Sequence, residues 1–185
     1  MLAASKRWVI VATGCQALLT GAENGVQGMY FHTGTLNASC TGYAVLCQTG
    51  TNSYSAQPIY YGLLFTHLLG TGRFLPVTTS TAAKTGGNIA AFALKTSSGG
   101  LRVMLENLSP ERLNATLRDG KHAGSATVLS LTGPAPLATS GVHIQDAAVG
   151  ADGHFSSGPP DTLRCTPAGC SVTLAPYSAA VVTLG

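Results

Sequence analysis

The sequence predicts a mainly-β protein, an antiparallel β-sandwich preceded by a helix-strand-helix segment. Three observations carry that expectation. From Arg73 onward, short β-prone runs alternate with Gly, Pro, Ser and Asn turns. Several of those runs alternate strictly, as in Leu101-Arg102-Val103-Met104-Leu105, which implies one buried and one wet face. Before that point, apolar residues recur at helical spacing on two segments. A composition boundary near residues 70–75 therefore divides the chain into residues 1–72 and 73–185.

The first helix is read from Trp8, Val11, Cys15, Leu18, Leu19 and Ala22, with Lys6, Thr13, Gln16, Thr20 and Glu23 on the other side and Asn24-Gly25 as its stop. The alternative for this segment is a miniature signal peptide ending in a lipidated Cys15. Its apolar core, however, is at the short edge of the usual 7–15 residues. Val26 to His32 reads as a short apolar strand, and residues 33–56 as a long Thr/Gly/Ser/Cys loop. Pro58 suits a first helical residue. Ile59, Tyr60, Leu63, Leu64 and Leu68 then make a second apolar stripe that ends at Gly70-Thr71-Gly72. The strands of the sandwich are expected at Phe74–Val77, Ile89–Lys95, Leu101–Leu108, Leu113–Leu117, Ala126–Leu131, Val142–Ala148, Leu163–Cys165, Ser171–Leu174 and Ala179–Leu184.

Composition narrows the function classes. Ten basic and seven acidic residues make up 9% of the chain, against about 25% in an average soluble domain. The net charge of +3 comes from scattered residues, with no Lys/Arg patch of the kind that neutralises phosphates, so no nucleic-acid partner is expected. No apolar run reaches the roughly 18 residues of a membrane span. The 185 residues are too few for a complete (β/α)₈ barrel, which needs about 250.

Five cysteines are present. Cys40 and Cys47 bracket a short Gly/Thr-rich loop, and Cys165 and Cys170 flank the turn Thr166-Pro167-Ala168-Gly169. Two local disulfides fit, with Cys15 left over, and imply an oxidising, extracellular compartment. Five reduced thiols in a cytosolic protein are the alternative.

No catalytic machinery stands out. Glu23, Glu106, Glu111, Asp119, Asp146, Asp152 and Asp161 are all read as solvated or turn residues. The paired carboxylates that glycoside hydrolysis requires are not evident among them. His32 closes the expected strand and opens the long loop; it either points into a binding mouth or merely caps the strand. His67 is read as a packed or surface residue of the second helix; His122, His143 and His154 sit in turns and share no metal-ligand spacing with the cysteines, and neither a serine-nucleophile elbow nor a phosphate loop is present. No cofactor is expected.

Particular stretches resemble a known family. Residues 23–34, Glu-Asn-Gly-Val-Gln-Gly-Met-Tyr-Phe-His-Thr-Gly, resemble the last barrel strand of glycoside hydrolase family 79, the β-glucuronidase and heparanase-like family. Gln57-Pro58-Ile59-Tyr60-Tyr61-Gly62-Leu63-Leu64-Phe65 is similar to the opening of its last barrel helix. Residues 101–108 and 175–184 are similar to strands of its C-terminal β domain. The resemblance implies that residues 1–72 are the remnant of a (β/α)₈ barrel and 73–185 a C-terminal sandwich of a secreted, retaining glycosidase. It also implies that both catalytic glutamates precede Met1, so that the chain alone is silent. Gly42-Tyr43 matches a Gly-Tyr pair that in that family donates hydrogen bonds to a uronate carboxylate, with a Cys40–Cys47 bridge ordering the loop and His32 at its root. The implied partner is a uronic-acid-containing glycan. A non-catalytic carbohydrate-binding or structural sandwich is the alternative, to be marked by exposed aromatics among Phe74, Phe92, Phe155 and Tyr177.

Overall fold

The computed structural model describes residues 7–31, 44–80, 88–120, 124–135 and 138–185, with side chains from residue 15 onward. In chain order the elements are α1 (Arg7–Glu23), β1 (Leu46–Gly50), β2 (Ser53–Ala56), α2 (Pro58–Leu69), β3 (Arg73–Leu75), β4 (Ile89–Lys95), β5 (Leu101–Asn107), β6 (Leu113–Leu117), β7 (Gly124–Thr132), β8 (His143–Ile144), β9 (Asp161–Cys165), β10 (Cys170–Leu174) and β11 (Ala179–Leu184). The chain forms two compact units, Met1–Leu68 with Thr132–Gly158, and Leu69–Leu131 with Pro159–Gly185.

The second unit is an antiparallel sandwich. Its larger sheet runs β3-β4-β5-β11-β7-β9, every neighbouring pair antiparallel. Facing it, β6 and β10 form a two-stranded sheet. Leu113, Ala115 and Leu117 on β6 are in register with Leu174, Val172 and Cys170 on β10, and all six face the core. The intervening Asn114 and Thr173 point outward, where the Thr173 hydroxyl donates to Asn114 Oδ1 at 2.8 Å. From the large sheet, Ala93, Val103, Leu105, Val128, Ala180 and Val182 close the same core. This is the period-two pattern resolving into an inner and an outer face.

The other face of the large sheet departs from the expected wet surface. Phe92, Leu94, Met104, Glu106, Leu131 and Val181 are all buried there. Strand β5 is therefore buried on both faces from Val103 to Asn107. The strict alternation in its sequence ends at Leu105-Glu106-Asn107, where two polar residues enter the interior.

Buried Asn107 binds one end of the sandwich together. Its Nδ2 donates to the Glu111 and Ala175 carbonyls, both at 2.7 Å, and its Oδ1 accepts the Ser109 N–H at 3.0 Å. Three of its side-chain hydrogen bonds are thus made to backbone in two separate turns, which is how a buried amide avoids a desolvation penalty. The Ala175-Pro176-Tyr177-Ser178 turn it holds places Tyr177 at φ 49°, a left-handed conformation that a bulky residue keeps only when its surroundings enforce it.

In the first unit, α1 ends in a Schellman motif. Gly25 sits at φ 82°, its N–H donates to the Ala22 carbonyl, and the Val26 N–H donates to the Gly21 carbonyl. Buried Cys15 donates from Sγ to the Gly62 carbonyl of α2 at 3.2 Å. Helix α2 starts on Pro58 as the sequence predicts and stops before Gly70, also at φ 82°.

Three expectations for this unit are corrected. Residues 26–31 form no strand; Val26 and Met29 are exposed and Tyr30 is 102% exposed. An apolar strand needs a neighbour to take its backbone hydrogen bonds, and among the described residues none pairs with this segment. The expected long loop instead holds the β1–β2 hairpin, turned at Asn52 with φ 57°. The expected Val142–Ala148 strand stops at Ile144, because Gln145 (φ 48°) and Asp146 (φ 62°) form a two-residue turn bonded both ways between Ile144 and Ala147.

Candidate functional site

The first unit contains a pocket of about 330 Å³. Hairpin β1–β2 supplies Thr49, Tyr54 and Ser55, the start of α2 supplies Pro58 and Tyr61, and residues 140–151 supply the remaining wall. Each wall is tied to another by backbone chemistry. The Tyr54 N–H donates to the Ala151 carbonyl at 3.2 Å, and the Gln57 N–H donates to the Val45 carbonyl at 3.0 Å. Across the pocket, the Val149 N–H donates to the Tyr61 phenol at 3.0 Å. Tyr61 follows Pro58 by one helical turn, which is why the start of α2 turns this phenol toward the 140–151 segment.

The lining is polar but uncharged. Among the described residues, no Asp, Glu, His, Lys or Arg lines it. The pocket can therefore orient a ligand through hydroxyls and main-chain groups, and among the described residues it contains no acid–base pair. Sequence patterns could not reveal it, because its walls come from segments some ninety positions apart, and one of them is the hairpin read as loop.

The residues singled out from sequence fall as follows. His32, Cys40, Gly42 and Tyr43 lie outside the described residues. Cys47 is buried in β1 and disulfide-bonded. Cys165 and Cys170 form the expected disulfide, with Cα atoms 4.3 Å apart. It joins β9 of the large sheet to β10 of the small one, across a turn in which Thr166 and Gly169 exchange backbone hydrogen bonds. Of the aromatics that would mark a sugar platform, Phe92 is buried and Phe74, Phe155 and Tyr177 are half-buried.

All seven carboxylates are among the described residues. Six are exposed, as expected. Glu106 is the correction: it is 0% exposed, and neither carboxylate oxygen has a hydrogen-bond partner among the described residues. Its register neighbours on both sides are small, Ala90 on β4 and Ala179 on β11. Burial without a partner disfavours the charged form, and pushes the pKa from the ordinary 4.5 to about 8. No local signal marked it, since strand alternation sets Glu106 on the face of Arg102 and Met104, the one expected to be wet. Among the described residues no group of three or more His, Cys, Asp and Glu could hold a metal ion, and no helix is long and apolar enough to cross a membrane.

Comparison with solved structures shows a likeness of fold. A fungal 4-O-α-L-rhamnosyl-β-D-glucuronidase from Fusarium oxysporum 12S superposes with a TM-score of 0.59 at 18% identity, over 71% of this chain and 31% of that one. The family 51 arabinofuranosidase from Xanthomonas axonopodis pv. citri gives 0.50 at 15% identity, over 77% of this chain and 29% of that one. The chain thus spans about a third of the length of these structures, and what it shares with them is the fold. No curated protein sequence matches it. Residues 86–182 match the family model described as D-apionate lactonase, C-terminal immunoglobulin-like domain. Through this match, which takes in the two-sheet sandwich from β4 to β11, the chain belongs to the family of D-apionate lactonase C-terminal immunoglobulin-like domains.

Proposed function

We propose that this chain is the non-catalytic C-terminal portion of a secreted carbohydrate-active hydrolase of the β-glucuronidase-like kind, with residues 1–72 the end of its barrel and 73–185 its β domain. The observation that carries the reading is the membership in a C-terminal immunoglobulin-like family, together with carboxylates that are either exposed or, in Glu106, buried without a facing acid. A retaining glycosidase needs two carboxyl groups about 5–5.5 Å apart across a cleft. The Cys165–Cys170 bridge supports an oxidising destination. On this reading Cys40 is the partner of Cys47, and Gly42, Tyr43 and His32 contribute to holding a uronate carboxylate through charge-assisted hydrogen bonds.

A second reading follows from the family's own description: the parent enzyme is a lactonase of a sugar acid, and not a glycosidase. The two are separated by assaying the chain, and the same chain together with the residues encoded upstream of it, on an aryl β-glucuronide and on the lactone of D-apionate. The chain alone is expected to turn over neither. Glucuronide turnover by the longer protein, lowered by Tyr43→Phe, supports the first reading, and lactone turnover alone supports the second. Turnover by the short chain that disappears on replacing one of its own carboxylates overturns both.

A further inference from the structure

We propose that the pocket between the β1–β2 hairpin, the start of α2 and residues 140–151 binds a single neutral sugar unit, as a subsite of its own. Three features select that ligand class. Its volume of about 330 Å³ lies at the low end of small-molecule sites, about 300–1,000 Å³, which suits a monosaccharide. Among the described residues its lining carries no charged side chain, so an ionised ligand would lose its hydration to them without gaining a counter-charge. The chemistry facing the space is what a pyranose presents in complement: hydroxyls beside aromatic and aliphatic surface.

The roles follow from the contacts. Tyr61 is only 6% exposed, and its oxygen already accepts the Val149 N–H. The phenol is therefore fixed in place with its own proton left to donate to a sugar oxygen. Tyr54 is 37% exposed and offers a ring face for the C–H side of the pyranose, the usual use of an amphipathic aromatic. Ser140 and Thr49 add hydroxyls on opposite walls. Gly141, at φ 72°, lets the 140–151 segment turn into the wall; a Cβ there would meet Pro134 Cγ at 3.2 Å. Because the walls are tied to one another by main-chain hydrogen bonds, binding requires little further ordering. Its described lining residues are other than those proposed above for the uronate, and they set the opposite charge preference.

The test is a titration of the whole chain with methyl β-D-glucopyranoside and methyl β-D-xylopyranoside, against D-glucuronate as the charged control, followed by amide chemical shifts. Millimolar binding of a neutral glycoside is expected, with shifts centred on Tyr54, Gly141 and Val149. Tyr54→Ala should weaken it about tenfold through lost stacking, and Tyr61→Phe about fivefold through the lost donor. Ser140→Ala, which leaves the Tyr61–Val149 bond intact, is the control for variants that disturb the fold, and should weaken binding by a similar factor. Absence of shifts with both glycosides, equal or tighter binding of D-glucuronate at the same amides, or affinities unchanged in all three variants would overturn the proposal.

Discussion

Tyr61 and Val149 lie 88 positions apart in the sequence, yet the Val149 N–H donates to the Tyr61 phenol at 3.0 Å. This bond fixes the 140–151 segment to α2 within one unit. Removing the acceptor leaves a half-buried amide without its partner, at a cost of about 1–3 kcal/mol. Tyr61→Phe should therefore speed hydrogen exchange at Val149 while leaving the amides of β6 and β10 unchanged. Unaltered exchange at Val149 would show that something other than this bond orders the segment.

Glu106 makes stability depend on pH in an unusual direction. Its folded-state pKa is raised from 4.5 to about 8 by burial. Below pH 4.5 both states hold the proton and nothing is lost. Between 4.5 and about 8 the unfolded chain releases it while the folded one retains it, so stability falls as pH rises across that window and levels off above it. The total is of the order of 5 kcal/mol. Urea unfolding near the two ends of the window should show the fall, and Glu106→Gln should remove most of it. Identical pH slopes in the two proteins would mean that the carboxyl is hydrated in solution.

Asn107 is expected to be the most sensitive polar position in the sandwich. Asn107→Ala strands the Glu111 and Ala175 carbonyls and the Ser109 N–H, which places the loss at about 2–4 kcal/mol. Asn107→Asp should be worse, since it turns a carboxylate oxygen toward the two carbonyls that now accept from Nδ2. A denaturation midpoint close to that of the parent in Asn107→Ala would contradict this.

Opening the Cys165–Cys170 bridge should cost about 2 kcal/mol, the loop-closure entropy of so short a ring. The double variant Cys165→Ala/Cys170→Ala should show this drop in thermal midpoint, and strong reductant, which also opens the bridge of Cys47, should lower that of the parent protein by at least as much. A drop in the variant alone would assign the effect to lost packing, since both sulfurs lie in the core.

The sandwich was legible because its strands obey local rules. Ile89–Lys95, Leu113–Leu117 and Ala179–Leu184 begin and end where their turn residues say they should. The exits of both helices were equally plain, since Asn24-Gly25 and Gly70 supply the left-handed residue that a helix end requires. What failed was whatever depends on a neighbour. Val26-Gln27-Gly28-Met29-Tyr30-Phe31 has the composition of a strand, but pairing is not a property of one segment. Glu106 carries no local mark of burial either; in isolation it is an acid near a turn, and only the strands on both sides enclose it. The pocket was illegible for the same reason. Ser53-Tyr54-Ser55 resembles loop until Cys47 and Gln48 lie opposite it, and Gln145-Asp146 adopts a turn usually signalled by Asn-Gly or Asp-Gly.

Strand β11 lies between β5 and β7, although both precede it by many residues. During vectorial synthesis those two strands emerge first and have no edge to share until Ala179–Leu184 arrives. The large sheet is thus assembled by insertion, with the last strand as its keystone, a topology that delays folding and leaves two open apolar edges in the interim. Nascent chains halted before residue 179 should accordingly bind chaperones and resist compaction. Release of a few more residues should convert them abruptly, an outcome that force measurements on stalled ribosomes can resolve.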